Sequence, residues 1–181
     1  MLIDRQKSRL LVVDLQGKLM PYIDDNEKIL ENCIWLTKVA NTLDVPVIAS
    51  EQYPKGLGPT VEPIRRHIRD EQMMEKEYFS CLSDDGCRST LLDKHYPQIV
   101  IIGTESHVCV MQTALELKAS GLDVFLVEDC VGSRDPHNKH LAIERMRQAG
   151  IIIVSREMVA FEWLRRANTH VFRYVSKTFI V

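Results

Sequence analysis

The chain lacks several features that would classify it at once. No apolar stretch approaches the roughly 20 residues that span a bilayer; its uninterrupted runs, such as Leu10–Val13 and Ile99–Ile102, stop after four. The opening MLIDRQKSRLLVVD has no charged n-region followed by an apolar h-region, so no secretory leader is expected. Neither sign of charge is in excess. The net charge of -2 gives no electrostatic attraction to nucleic acid or an anionic membrane. A basic, aromatic patch that could hold RNA is also missing. The five cysteines (Cys33, Cys81, Cys87, Cys109, Cys130) are odd in number, scattered and free of any CxxC pair. They read as reduced thiols in a cytoplasmic protein rather than as a disulfide framework. Glycine is sparse where nucleotides would need it. The first apolar run is followed by Asp14-Leu15-Gln16-Gly17 rather than GxGxxG, and Gly56 with Gly58 are too few for a phosphate loop. With no repeat, low-complexity segment or linker, residues 1–181 are expected to form a single domain.

What is present is an alternation of short apolar runs with amphipathic stretches. Strands are expected at Arg9–Val13, Val45–Ala49, Met73–Phe79, Ile99–Ile102, Leu122–Val127 and Ile151–Val154. Between them, Glu27–Leu43 places Ile29, Cys33, Leu36, Ala40 and Leu43 on one helical face. Val61–Arg69 reads as a short helix, Asp84–Tyr96 as a helix capped by Asp84 or Asp85, and Asn138–Ala149 as a helix ending at Gly150. Ser50–Pro59, SEQYPKGLGP, reads as a loop. This alternation implies an α/β fold: a three-layer α-β-α sandwich around a doubly wound, mainly parallel six-stranded sheet. The tail Arg165–Val181 is polar and aromatic, suited to packing on the core or reaching a partner subunit.

The most informative stretch is Ile99–Leu117, IVIIGTESHVCVMQTALEL. A buried strand ends in Gly103, a short irregular segment follows, and Cys109 opens a stretch with Val110, Ala114 and Leu117 on one helical face. Open α/β sheets bind ligands outside the carboxyl ends of their strands. A cysteine at a helix start is expected to favour thiolate, the nucleophilic form. A buried cysteine is more often a small hydrophobe, so the chemical reading needs partners. Two arise from the same topology. Asp14 ends the first strand and Lys76 lies in the third, so an acid, a cation and a thiol converge on one sheet edge. A carboxylate there can take the thiol proton and return it to a leaving group, while a lysine stabilises both anions. Taken singly, Asp14 could cap a turn and Lys76 could be a solvated charge.

These residues sit in segments that resemble the isochorismatase-like cysteine hydrolase superfamily, which includes nicotinamidases and carbamoylsarcosine amidohydrolases. The resemblance runs through VVDLQ (Val12–Gln16), EKEYFS (Glu75–Ser80), GTESHVCVMQTALEL (Gly103–Leu117) and DCVGSR (Asp129–Arg134). It implies a catalytic triad of Asp14, Lys76 and Cys109, a non-proline cis peptide at Thr104–Glu105, and an oxyanion hole built from the N–H groups of Glu105 and Cys109. SEQYPKGLGPTV (Ser50–Val61) is similar to the isochorismatase-domain subgroup also described as mitochondria-associated-ribonuclease-like. Nicotinamidases carry an Asp-x-His metal site after the second strand; Glu51, Gln52 and Tyr53 stand there instead, so no catalytic metal and no cofactor are expected.

The resulting expectation is a metal-independent cysteine hydrolase acting on a C–N bond of a small molecule, with Gln16, Gln52, Tyr53 and Phe79 lining its pocket. The alternative is a weakly active binding or scaffold protein of the same fold. A ribonuclease is disfavoured by charge. His107 is a second-choice base, His137 with His140 reads as a solvated helix face, and nothing supports metal binding by Cys81 and Cys87. The resemblance also implies a homo-oligomer. Trp163, Phe172, Tyr174, Phe179 and Ile180 suit either a buried interface or completion of the monomer core.

Overall fold

A computed structural model describes residues 1–180. Six strands, β1 (Ser8–Val13), β2 (Val47–Gln52), β3 (Met73–Lys76), β4 (Gln98–Thr104), β5 (Asp123–Gly132) and β6 (Ile152–Val154), form one sheet. Their spatial order is β3-β2-β1-β4-β5-β6, and every pairing is parallel. The helices are α1 (Asn26–Thr42), α2 (Pro54–Leu57), α3 (Glu62–Arg65), α4 (Asp85–Leu91), α5 (Met111–Ala119), α6 (Pro136–Gln148), α7 (Arg156–Leu164) and α8 (His170–Val175).

Alternate strand residues feed opposite cores, as the two-residue period of a strand demands. Leu10, Val12, Val100, Ile102, Phe125 and Val127 join Leu36 and Val39 of α1 with Val159, Ala160 and Trp163 of α7. Leu11, Val13, Ile48, Ile99, Ile101 and Leu126 instead meet Leu91 of α4, Ala114 and Leu117 of α5, and Ile143 and Met146 of α6. A sheet buried on both faces between two helical layers is the expected α-β-α sandwich, with the parallel sheet complete.

Several boundaries differ from the sequence expectation. β2 runs on through Ser50, Glu51 and Gln52, which had read as loop, because it stays paired to β3 as far as Gln52↔Lys76. β3 is shorter than expected and ends at Lys76, leaving Phe79 outside the sheet. α7 went unrecognised in the sequence. Ser155 caps it by accepting from the Met158 N–H, and its Trp163 is buried, donating from Nε1 to Ser8 Oγ at 2.9 Å. Trp163 therefore completes the core. Phe179 is half-buried and meets Trp35 edge-on, with ring centroids 6.5 Å apart, while Tyr174 is exposed. Val171, Phe172, Phe179 and Ile180 of the tail pack on the core while much of the rest is exposed; its last residue, Val181, lies outside the described residues.

The strand order reverses between β1 and β4, which makes their carboxyl ends the topological switch point of the sheet. Here Val13 pairs with Gly103, and a Cβ on Gly103 would lie 2.0 Å from the Val13 carbonyl oxygen. With φ at +120°, only glycine fits.

Candidate active site

Register alone brings the candidate groups to one place. Ser50 is level with Val13, so it stands beside Asp14, and Gln52 is level with Lys76. Even-numbered residues of β2 and β3 share the face of the sheet that packs against α4, α5 and α6, the core to which Cys109 belongs.

Asp14 leaves β1 with φ at +49°, a left-handed turn that aspartate tolerates better than most residues. Its carbonyl accepts from Thr104 Oγ1 at 2.9 Å, tying the end of β1 to the end of β4. Its carboxylate accepts from Lys76 Nζ at 2.8 Å and from Ser50 Oγ at 2.7 Å. Both side chains of the Asp14–Lys76 pair are fully buried. Lys76 Nζ also donates to Gln52 Oε1 at 2.7 Å, and the Gln52 amide is itself oriented by Nε2 donating to the Glu77 carbonyl at 2.7 Å.

Cys109 sits in a wide turn, Ser106–Val110, closed by the Val110 N–H donating to the Glu105 carbonyl at 3.2 Å. The regular helix starts only at Met111, so the thiol lies inside the turn rather than at the first residue of a helix. Its thiol donates to Gln52 Oε1 at 3.9 Å. The peptide bond Thr104–Glu105 is cis. The Glu105 side chain accepts at Oε2 from both the backbone N–H and Nε of Arg134, each at 3.0 Å, and His107 Nδ1 lies 2.9 Å from Ser133 Oγ.

The electrostatics correct one expectation. Burial, followed by the negative charge of Asp14, pushes the Cys109 thiol well above its ordinary range, and Lys76 offsets only part of this. Both influences favour the neutral thiol over the thiolate. Burial likewise raises Asp14 above the usual carboxylate range against the opposing pull of Lys76 and Ser50. Burial works against the Lys76 ammonium too, but Asp14 and the nearby thiols outweigh it, and Lys76 is raised and stays charged. The cluster thus gathers a carboxyl group, an ammonium and a thiol in one buried site.

The expected pocket lining divides in two. Gln52 is in the cluster, and Tyr53, half-exposed, borders a cavity of about 310 Å³ with Pro54, Lys55, Glu75, Lys76 and Glu77. Gln16 is fully buried, and both ends of its amide are engaged by the chain itself. Its Oε1 accepts from the Gln52 N–H at 2.7 Å, and its Nε2 donates to the carbonyls of Gln52 and Gly58. Phe79 is 54% exposed, because the chain has already left the sheet. Sequence reasoning missed Ser50, whose role follows only from the register of β2 on β1. At the position of the nicotinamidase-type ligands, Glu51 Oε1 is engaged by Thr60, from its N–H at 2.6 Å and its hydroxyl at 2.7 Å. Among the described residues, no three metal-ligating side chains gather.

The fold and cluster together define a class: a doubly wound α/β protein with a buried carboxylate, ammonium and thiol at its switch point. Residues 8–158 match the isochorismatase domain, and the chain belongs to that family. It is 33% identical over 172 residues to isochorismatase family protein 1A of Dictyostelium discoideum, covering 93% of this chain and 84% of that protein. It is also 33% identical to a secreted isochorismatase effector of Phytophthora sojae, covering 94% of this chain and 83% of that one. Among solved structures, the MAR1 ribonuclease of Caenorhabditis elegans superposes with a TM-score of 0.92 at 32% identity, covering 100% of this chain and 93% of that one.

Proposed function

We propose that the chain is a metal-independent cysteine hydrolase that cleaves a C–N bond in a small amide or related acyl compound through a covalent acyl-enzyme, with Asp14, Lys76 and Cys109 as its catalytic triad. The observation that carries this reading is the buried Asp14–Lys76 pair lying against the Cys109 thiol at the switch point. As sulfur attacks the substrate carbonyl, the thiol proton passes to Asp14, and the negative charge moves from Asp14 to the carbonyl oxygen. The N–H groups of Glu105 and Cys109 receive that oxyanion, an effect of roughly 3 kcal/mol per donor. Collapse of the tetrahedral adduct breaks the C–N bond, and Asp14 protonates the departing nitrogen. Water then transfers a proton to Asp14 as it attacks the thioester; the acid leaves, and the proton returns to sulfur. Lys76 stays charged throughout, so the buried cluster never carries an uncompensated anion. Raised proton affinity on Asp14 suits it to hold the proton between steps.

Substrate is taken to enter past Tyr53 and contact Gln52. The carboxylates of Glu75, Glu77 and Asp84 around that cavity, together with the net charge of -2, weigh against RNA as the substrate. A single domain, a cytoplasmic location and a homo-oligomer remain part of the proposal. The first two rest on sequence and on five free cysteines. The last rests on exposed Tyr22, Tyr53, Tyr78 and Phe79, and on the description of an Escherichia coli protein of the same fold as an octameric hydrolase of unknown specificity. A monomeric mass by sizing with light scattering would remove the oligomer.

One observation favours the alternative, a catalytically weak binding or scaffold protein: the sulfur is buried, and burial beside Asp14 disfavours the thiolate. A screen of small amides decides between them, with intact-mass detection of an acyl adduct on Cys109. Cys109→Ala should fold normally and lose both adduct and turnover. Turnover retained in that variant would exclude the covalent route.

A further inference from the structure

Gln52 has contacts that pocket lining does not need. Its backbone is fixed independently of its side chain, because the N–H and the carbonyl are both clamped by the Gln16 amide. The side chain is then free to serve the cluster. Its orientation is set by Nε2 on the Glu77 carbonyl, which turns Oε1 toward Lys76 Nζ at 2.7 Å and Cys109 Sγ at 3.9 Å. A carbonyl oxygen in that place does two things. It supplies Lys76 with a second oxygen partner besides Asp14, so the ammonium is held between two oxygens rather than turned onto sulfur. It also presents a partial negative charge to the sulfur, which accepts weakly from a thiol and repels a thiolate.

We propose that Gln52 is a positioning residue that tethers the Lys76 ammonium and keeps Cys109 a neutral thiol until a substrate carbonyl is in place. The inference concerns the same site as the hydrolase reading and takes its purpose from it: a resting thiol is spared alkylation and oxidation, and its charge develops only when an oxyanion hole can share it. The groups facing the sulfur fit this balance. Asp14 arrives from the end of β1, Lys76 from β3, Gln52 from β2, and the buried Cys81 thiol from the turn after β3. Burial and Asp14 set most of the acidity of the sulfur; of the facing groups only Lys76 favours the thiolate, so the direction in which its ammonium is held tunes that acidity.

The test is the pH profile of iodoacetamide labelling of the whole folded chain, read at each cysteine by mass spectrometry. Gln52→Met keeps the bulk and removes the acceptor. It should lower the apparent pKa of Cys109 by about one unit and speed labelling roughly tenfold at a fixed pH below it. Gln52→Glu adds a second carboxylate beside Lys76 and should shift the profile the other way. Unchanged profiles in both variants would overturn the inference. So would faster labelling of Cys81 and Cys87 in step with Cys109, which marks loosened packing. Labelling needs no turnover, whereas the hydrolase reading stands or falls on amide cleavage by the wild type, so the two can fail separately.

Discussion

Replacing Lys76 by Met should destabilise the fold in a manner that depends on pH. Lys76 and Asp14 have fully buried side chains and lie 2.8 Å apart, so removing the ammonium leaves a carboxylate with no counter-ion in a medium that cannot solvate it. Removing one partner of such a pair costs about 3–5 kcal/mol, far more than the pair is worth against a well-packed apolar substitute. The proton affinity of folded Asp14 already exceeds that of an unfolded carboxylate. Protonation therefore favours the fold: this contribution is complete below the unfolded pKa of about 3.9 and is lost as pH rises toward the folded value. Without Lys76 the folded value climbs further, and the decline continues at up to about 1.4 kcal/mol per pH unit. The variant should thus lose only about 1–2 kcal/mol near pH 4, where the main deficit is two hydrogen bonds. Near pH 7.5 the loss should be about 3–5 kcal/mol. Urea unfolding at both pH values, with the slope checked for constancy, measures the difference. The double variant Asp14→Asn with Lys76→Met should recover much of the loss, giving a coupling energy on the order of 3 kcal/mol. An equal penalty at both pH values, or none near neutrality, would refute the idea that Lys76 neutralises an ionised, buried Asp14.

Two further outcomes follow from the same edge of the sheet. Gly103→Ala would place a methyl 2.0 Å from the Val13 carbonyl at a φ of +120°, so β1 and β4 must part; a loss of roughly 3 kcal/mol or more is expected, seen as a lower Tm. Ser50→Ala removes the 2.7 Å bond to Asp14 Oδ1, for about 1–2 kcal/mol of stability. That bond favours the ionised carboxylate, so its loss should move the acid limb of kcat/KM to higher pH, and an unshifted limb would detach Ser50 from the chemistry.

The legibility of the site varied with how local each signal was. Cys109 and Asp14 could be read from the sequence because each follows an apolar run, and chain direction in a parallel sheet puts both on one edge. Lys76 is legible in the same way, although its strand ends three residues earlier than the sequence suggests, which leaves Phe79 beyond the sheet and exposed. Gln16 looked like a ligand group from its position two residues past the Asp14 turn. Only the approach of β2 and the Gly58 carbonyl shows that its amide is buried and engaged by the backbone. Ser50 and Gln52 lay in a stretch rich in glycine and proline that resembled a loop. Pairing with β1 and β3, a non-local interaction, kept that stretch in the sheet.

The sequence by itself determined the architecture and the edge at which Asp14, Lys76 and Cys109 gather. Alternation of apolar runs with amphipathic helices and the two-residue period of buried strands leave few other ways to bury both faces. Tertiary structure decided the state of the groups. Whether Cys109 rests as thiol or thiolate depends on how deeply it is buried and which charges face it. Those charges come from β1, β2 and β3, strands brought together by hydrogen-bond register rather than by any spacing along the chain.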